Sequence, residues 1–347
     1  MKYRGMAYQL RALGILGLMP FCTAIGHHAA NVYFDVDTVI EVRGVISDLR
    51  WQNPHIAFTL ISREPNGDET PWLIESNSVS SLRQLGVLPD QLVVGDVVTV
   101  AGWPARTGEN RMSGGHVLQS DGSELVLRGS GDRYFTDGSA ERISIAELET
   151  RDLGDAAERG MFRVWSTITG DPNQNRLWAE SYPLTEAARS AQAAWDPVRD
   201  NPAIRCEPKG MPGIMNPPYP MEINERGDVI VILQEEWDAV RTVYMNPDST
   251  PASPERSLLG HSVGNWDGET LVVRTSHVSW PYFDGRGVHQ SEQAVYEERF
   301  TVSADGRRLN YTIDTTDPET FTEPVRLDRF WVWLPGQQVE PYNCVPL

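Results

Sequence analysis

Two adjacent histidines, His27 and His28, directly follow a short apolar segment near the start of the chain, and a third, His55, lies in the sequence WQNPH. If the chain is cleaved before His27, that residue carries both a free α-amine and an imidazole, which together form a nitrogen chelate. Nitrogen ligands in a tetragonal plane favour Cu(II), with Zn(II) as the second choice. The sequence therefore predicts a copper site made by His27, His28 and His55. The alternative is a solvated histidine pair, with His55 hydrogen-bonded to the end of a strand.

A carboxylate on an apolar strand face is the second candidate for chemistry. The segment QAVYEERFTV alternates, so Glu298 shares a face with apolar neighbours on either side along the strand, which are Ala294, Tyr296, Phe300 and Val302. A buried carboxyl group must be paired or have a raised pKa. Arg329 also shares an apolar face with Leu327, Trp331 and Trp333. A structural pair between Glu298 and Arg329 is therefore one interpretation.

The other interpretation of Glu298 is catalytic. His261 lies between glycines at a strand entrance, and His277 and His289 flank the aromatic segment SWPYFDGRG. With Glu298, these histidines can form an acid/base group that acts on a bound apolar ligand. The sequence contains no H-E-x-x-H segment, so this zinc-hydrolase motif is absent.

The compartment is predicted from the first 26 residues. A positively charged start without acidic residues precedes the apolar run ALGILGLMPF, which is too short to span a bilayer as a helix. Ala24 and Gly26 are small residues at the positions that signal peptidase requires. We therefore expect a signal peptide over residues 1–26, a periplasmic or secreted protein, and no membrane insertion once this segment is removed.

Two cysteines remain after that cleavage, Cys206 and Cys344. An even pair in an oxidising compartment predicts one disulfide, which would join the C-terminus to a segment 138 residues earlier. Closing so long a loop restricts the unfolded chain and stabilises the folded protein by on the order of 4 kcal/mol in the chain-entropy model. Two thiols with a redox or metal-binding role are the alternative, although the sequence has no C-x-x-C spacing.

The elements that must position these residues are mostly short strands. Residues 27–128 predict about five strands and one short helix, which is typical of a small OB-like antiparallel barrel. Residues 129–158 are rich in Gly, Ser and Asp and predict a linker. Residues 159–347 predict a helix near 185–196 and then seven to nine strands in a larger lipocalin-like antiparallel barrel. The fold class is therefore all-β with one or two short helices.

The net charge of the chain limits the classes of binding partner that can be expected. The chain carries 48 acidic against 30 basic residues, a formal net charge of −18. Such a chain repels nucleic acid and anionic membranes, so neither is an expected partner. Two classes of function remain: a binding protein with copper at its N-terminus and a barrel that is structural or holds a small apolar ligand, and an enzyme that uses Glu298, His261 and His289. The copper motif is the more specific feature and favours binding.

Several segments resemble a family of exported bacterial proteins of unknown function, whose members begin with a double histidine and share a W-x-N-P-H segment. The resemblance spans about residues 30–128 and is carried by HHAANVYFD, VRGVISDLRWQNPH, VVGDVVTVAGWPA and LQSDGSEL. His116 stands where the family is not expected to require a histidine. A second uncharacterised β-rich domain of exported proteins is similar in AIRCEP, PYPMEI, GHSVGNWDGETLVVRT, EERF and YNC. Neither resemblance implies a known reaction.

Overall fold

The computed structural model describes residues 33–128, 131–140, 147–148, 160–170 and 177–345. It is nearly all β, with 40% strand against 11% helix, and it contains a closed five-stranded barrel followed by a larger, nearly closed nine-stranded barrel. The predicted all-β class and the predicted order of two barrels are therefore confirmed. The predicted signal peptide, with His27 and His28, lies outside the described residues.

The small barrel is formed by β1 to β5, with β6 added beside β5. Its elements are β1 (Ile40–Arg50), β2 (Ala57–Arg63), β3 (Glu69–Glu75), α1 (Val79–Gln84), β4 (Val97–Pro104), β5 (Arg111–Leu118) and β6 (Glu124–Val126). The strands follow the order β3-β2-β1-β4-β5-β6, and a parallel pairing of β3 with β5 closes the ring. This circular order with a helix between β3 and β4 is the OB arrangement that the sequence predicts.

Buried and exposed residues alternate along β1, and the buried ones face the interior of this barrel. Val42, Gly44 and Ile46 face inward, whereas their neighbours are exposed. Gly44 is required by space, because a Cβ there would lie 2.4 Å from the carbonyl oxygen of Ile61 on β2. The backbones of β1 and β2 therefore approach closely at Gly44.

The large barrel runs in sequence order from β7 to β15. Its elements are β7 (Val164–Trp165), α2 (Glu186–Ala194), β8 (Met221–Arg226), β9 (Val229–Gln234), β10 (Ala239–Tyr244), β11 (His261–Asp267), β12 (Thr270–Ser276), β13 (Val295–Val302), β14 (Arg308–Thr316) and β15 (Val325–Val332). A bridge between Ser166 and Val332 joins the first and last strands.

One pair of neighbouring strands departs from the predicted antiparallel meander. β10 and β11 are parallel and pair over two positions, Val243 with Ser262 and Tyr244 with Val263. The 16 residues between these strands cross over instead of forming a hairpin, so the wall of the barrel opens where β10 and β11 diverge.

Contacts between the barrels centre on α1 and the C-terminal segment. Ser80 of α1 donates a hydrogen bond of 2.7 Å to Glu235, and Gln84 donates one of 3.0 Å to the carbonyl of Thr167. Tyr342 forms a bridge with Asn53. The Cys206–Cys344 disulfide, predicted from the sequence, is present with an S–S distance of 2.02 Å. It fixes the C-terminal segment to the large barrel beside this junction.

Candidate functional site

His55 is the member of the predicted copper set that the structure describes. It is partly buried and comes directly before β2, and its Nδ1 lies 2.9 Å from the carbonyl oxygen of Ser76. A carbonyl oxygen can only accept, so Nδ1 carries a hydrogen, and in the neutral ring Nε2 carries the lone pair. Histidines that bind metals through Nε2 usually donate Nδ1–H to a carbonyl or carboxylate in this way. The tautomer of His55 thus suits metal binding.

The neighbours of His55 hold it in place. Asn53 is buried, and its side-chain oxygen accepts a hydrogen bond of 2.9 Å from the backbone N–H of Val79 in α1. Ser76 is also buried, and its hydroxyl donates to the carbonyl of Gly114 at 2.8 Å. The backbone on both sides of the His55–Ser76 contact is therefore tied to the barrel.

The complete copper set is not tested by these contacts. His27 and His28 lie outside the described residues. Within the described part of the chain, no group of three or more His, Cys, Asp or Glu side chains is arranged to hold a metal ion. Nor is any helix in that part long and apolar enough to cross a bilayer.

Inside the large barrel, Glu298 is fully buried, as its place on an apolar face predicts. Its carboxylate accepts from both terminal nitrogens of the Arg241 guanidinium, one of them at 2.9 Å. Thr275 donates at 3.1 Å and Tyr311 at 2.8 Å. Burial alone would lower the pKa of Arg241, but the charge of Glu298 raises it above its ordinary value. The buried carboxylate therefore has a guanidinium group and two hydroxyl groups as hydrogen-bond donors.

The predicted pairing of Glu298 with Arg329 is wrong. Arg329 is buried, but it donates at 2.6 Å to the carbonyl oxygen of Met215 and lies over the ring of Trp331. Because it has no carboxylate partner there, burial lowers its pKa to about 10. The partner of Glu298 is instead Arg241, whose side chain reaches the interior from β10.

The structure does not bring His261 and Glu298 together. Ser262, the next residue in β11, points inward and accepts a hydrogen bond from Arg241 at 3.0 Å. Side chains alternate along a strand, so His261 faces the opposite side. There its Nε2 lies 2.8 Å from the hydroxyl of Thr250, and burial together with His277 lowers its pKa. The acid/base group therefore receives no support from these contacts.

His261 does line a cavity of about 570 Å³, at the opening where β10 and β11 diverge. Arg241 also lines this cavity, whereas Glu298 does not. His289 lies elsewhere, with its ring 4.9 Å from that of Tyr282. The three residues of the predicted catalytic set thus occupy three different surroundings.

A buried group of carboxylates lies at the junction of the barrels. Glu235 accepts hydrogen bonds from Ser80 at 2.7 Å and from the backbone N–H of Glu340 at 2.9 Å. Burial raises its pKa from 4.5 to about 7. The neighbouring Glu236, whose pKa burial also raises, pairs with Lys209 at 2.7 Å. This group has no signal in the sequence, because the two glutamates follow β9 in an ordinary polar segment.

Comparison with known proteins places one family on the small barrel. Residues 18–114 match a family of unknown function (DUF6152). The DUF6152 match includes His27, His28 and His55 and extends into β5, and it does not reach the large barrel. No curated protein matches the chain. The expected resemblance to an uncharacterised family is thus confirmed for the first domain, while its export remains a prediction.

Proposed function

We propose that this protein is an exported binding protein that holds one Cu(II) ion on its small barrel, through His27, His28 and His55. The observation that supports this proposal is the tautomer of His55, whose Nδ1–H is used by the Ser76 carbonyl so that Nε2 carries the lone pair. An imidazole whose other nitrogen is held in this way is a preorganised metal ligand.

The chemistry of the remaining ligands depends on cleavage after Gly26. Cleavage converts His27 into an N-terminal residue, whose amine and imidazole bind a metal as one chelate, and His28 adds an imidazole or an amide nitrogen. A set made of nitrogen atoms favours Cu(II) over Zn(II). The formal net charge of −18 also favours the approach of a cation.

The first experiment compares two N-termini. Protein exported with its own leader is checked by mass spectrometry for His27 as its first residue, and a second form retains one additional residue before His27. We expect one Cu(II) per native chain and binding weaker by about tenfold or more in the extended form, because the terminal chelate is lost. Equal affinities, measured by competition with a chelator, would contradict the proposal.

A second pair of variants tests His55 itself. His55→Gln should weaken Cu(II) binding and remove one nitrogen from the electron paramagnetic resonance spectrum. His289→Gln, on the large barrel, is the matched control and should leave both the affinity and the spectrum unchanged. A spectrum that is the same in the two variants would exclude His55 from the site.

A further inference from the structure

A cleft beside the large barrel contains neither His55 nor the interior ion pair of Arg241 and Glu298 in its walls. It has a volume of about 480 Å³, and its walls come from residues 178–180, 195–216 and 280–286. That volume lies within the range of sites for small molecules. The sequence indicates only the aromatic segment that includes Trp280 and Tyr282, whereas Trp178 and Trp195 come from earlier segments that carry no such signal.

The aromatic walls of the cleft are held in fixed orientations. The rings of Trp280 and Tyr282 are 5.6 Å apart at an interplanar angle of 69°, so they form two walls that meet at a steep angle. Trp195 packs directly against Gly287, where a Cβ would lie 2.4 Å from the indole Cγ. Trp178 lies against Phe283, with 5.8 Å between ring centroids. Four aromatic side chains therefore line one small space before any ligand binds.

The charges around the cleft are unequally matched. Arg286 donates to Asp284 at 2.9 Å and to the backbone carbonyl of Ala179 at 2.6 Å. Lys209 is paired with Glu236. Glu180 is exposed, and no hydrogen bond or ion pair joins its carboxylate to another side chain in the described ranges. The cations of the cleft are thus neutralised, whereas one carboxylate remains available.

We propose that this cleft binds a small organic cation of the methylated-ammonium class. Aromatic faces carry negative electrostatic potential, and several of them around one space bind quaternary ammonium groups. The Glu180 carboxylate adds an opposite charge at the edge, and the acidic chain as a whole attracts cations. This proposal is independent of the proposed copper site, whose described ligand, His55, belongs to the small barrel.

The test uses choline and its neutral isostere 3,3-dimethyl-1-butanol, in which carbon replaces the charged nitrogen. Isothermal titration calorimetry on the whole protein at low salt should show choline binding with a Kd in the millimolar range or tighter, and about tenfold or more tighter than the neutral isostere. Equal binding of the two compounds, or the absence of choline binding in that range, would overturn the proposal.

Two pairs of variants locate the binding. Glu180→Gln should weaken choline binding by about threefold or more, while Glu64→Gln, which removes one exposed charge from the small barrel, should not. Tyr282→Leu should weaken binding, and Tyr282→Phe should retain it, because both lose the hydroxyl and only the first loses the ring. Binding that both Glu180→Gln and Tyr282→Leu leave unchanged would place the cation elsewhere and overturn the assignment.

Discussion

The two barrels fill their interiors in different ways. The interior of the small barrel is packed with aliphatic side chains such as Ile46, Leu60 and Ile74, which have no exposed surface. Its buried Glu75–Arg111 ion pair lies on the opposite face of β3 from Ile74. The large barrel buries a charged carboxylate, Glu298, and its partner Arg241 among aromatic rings. An aliphatic interior loses stability in proportion to the volume removed, whereas a charged interior depends on each partner being present. We therefore expect the loss of a single charged side chain from the interior to destabilise the large barrel strongly.

The largest effect is expected from Arg241→Met. This variant leaves the Glu298 carboxylate buried without its countercharge, which costs about 3–5 kcal/mol of the free energy of unfolding. Denaturant unfolding followed by tryptophan fluorescence measures the loss. The control is Arg63→Met, which breaks the exposed Arg63–Glu69 pair of the small barrel and should change stability by less than about 1 kcal/mol.

Adding Glu298→Leu to Arg241→Met sharpens this comparison. The double variant removes both charges and replaces them with apolar groups, so we expect it to recover most of the stability that the single variant loses. A double variant that is no more stable than Arg241→Met would show that the charge on Glu298 is not the cause.

Much of this architecture is readable from the sequence, because alternation reports which residues face inward. The strand pattern of β13 correctly places Glu298 in the interior, on the same face as the buried Tyr296 and Phe300. The partner of Glu298 was misidentified because alternation says nothing about position around the barrel. Arg241 and Glu298 are 57 residues apart, and only the closed wall brings them together.

The junction between the barrels gives the second prediction, a pH dependence caused by Glu235. Its pKa in the folded protein is about 7, against an ordinary value of 4.5. Between these pH values the folded chain holds a proton that the unfolded chain releases, so stability falls as the pH rises. Below this range both states are protonated, and above it both are ionised. The total loss is roughly 3 kcal/mol, measured as the difference in unfolding free energy between about pH 4.5 and about pH 8.

Glu235→Gln should remove this part of the pH dependence, since glutamine does not titrate. Its amide oxygen can still accept from the Glu340 N–H, and its NH2 group can donate to the Ser80 hydroxyl. Glu64→Gln is again the exposed control, and it should follow the unmodified protein at every pH. A Glu235→Gln profile that is parallel to that of the unmodified protein would show that the junction does not sense pH through this residue.

The candidate sites, like the fold, include features that a local sequence pattern shows and features that only the folded chain shows. His55 is a candidate that the sequence itself suggests, because a short local motif contains it, although its contact with Ser76 is made 21 residues away, directly after β3. The aromatic cleft combines three distant segments, and the carboxylates at the junction are unusual only because two barrels meet over them. Local chemistry is visible in a sequence, while burial that arises from assembly is not.

The smallest predicted effect compares the helix caps of the two barrels. Ser78 accepts the backbone N–H of Ser81 at 3.1 Å at the start of α1, and Thr185 accepts that of Ala188 at 3.2 Å at the start of α2. Replacing such a cap by alanine usually costs about 1 kcal/mol. Ser78 is buried and Thr185 is partly exposed, so Ser78→Ala should cost more than Thr185→Ala in denaturant unfolding, because water cannot replace the lost acceptor. Thr185→Ser is the conservative control and should be neutral. If Ser78→Ala proved the milder change, the Asn53 side chain, which already accepts the N–H of Val79, would be the acceptor that holds the start of α1.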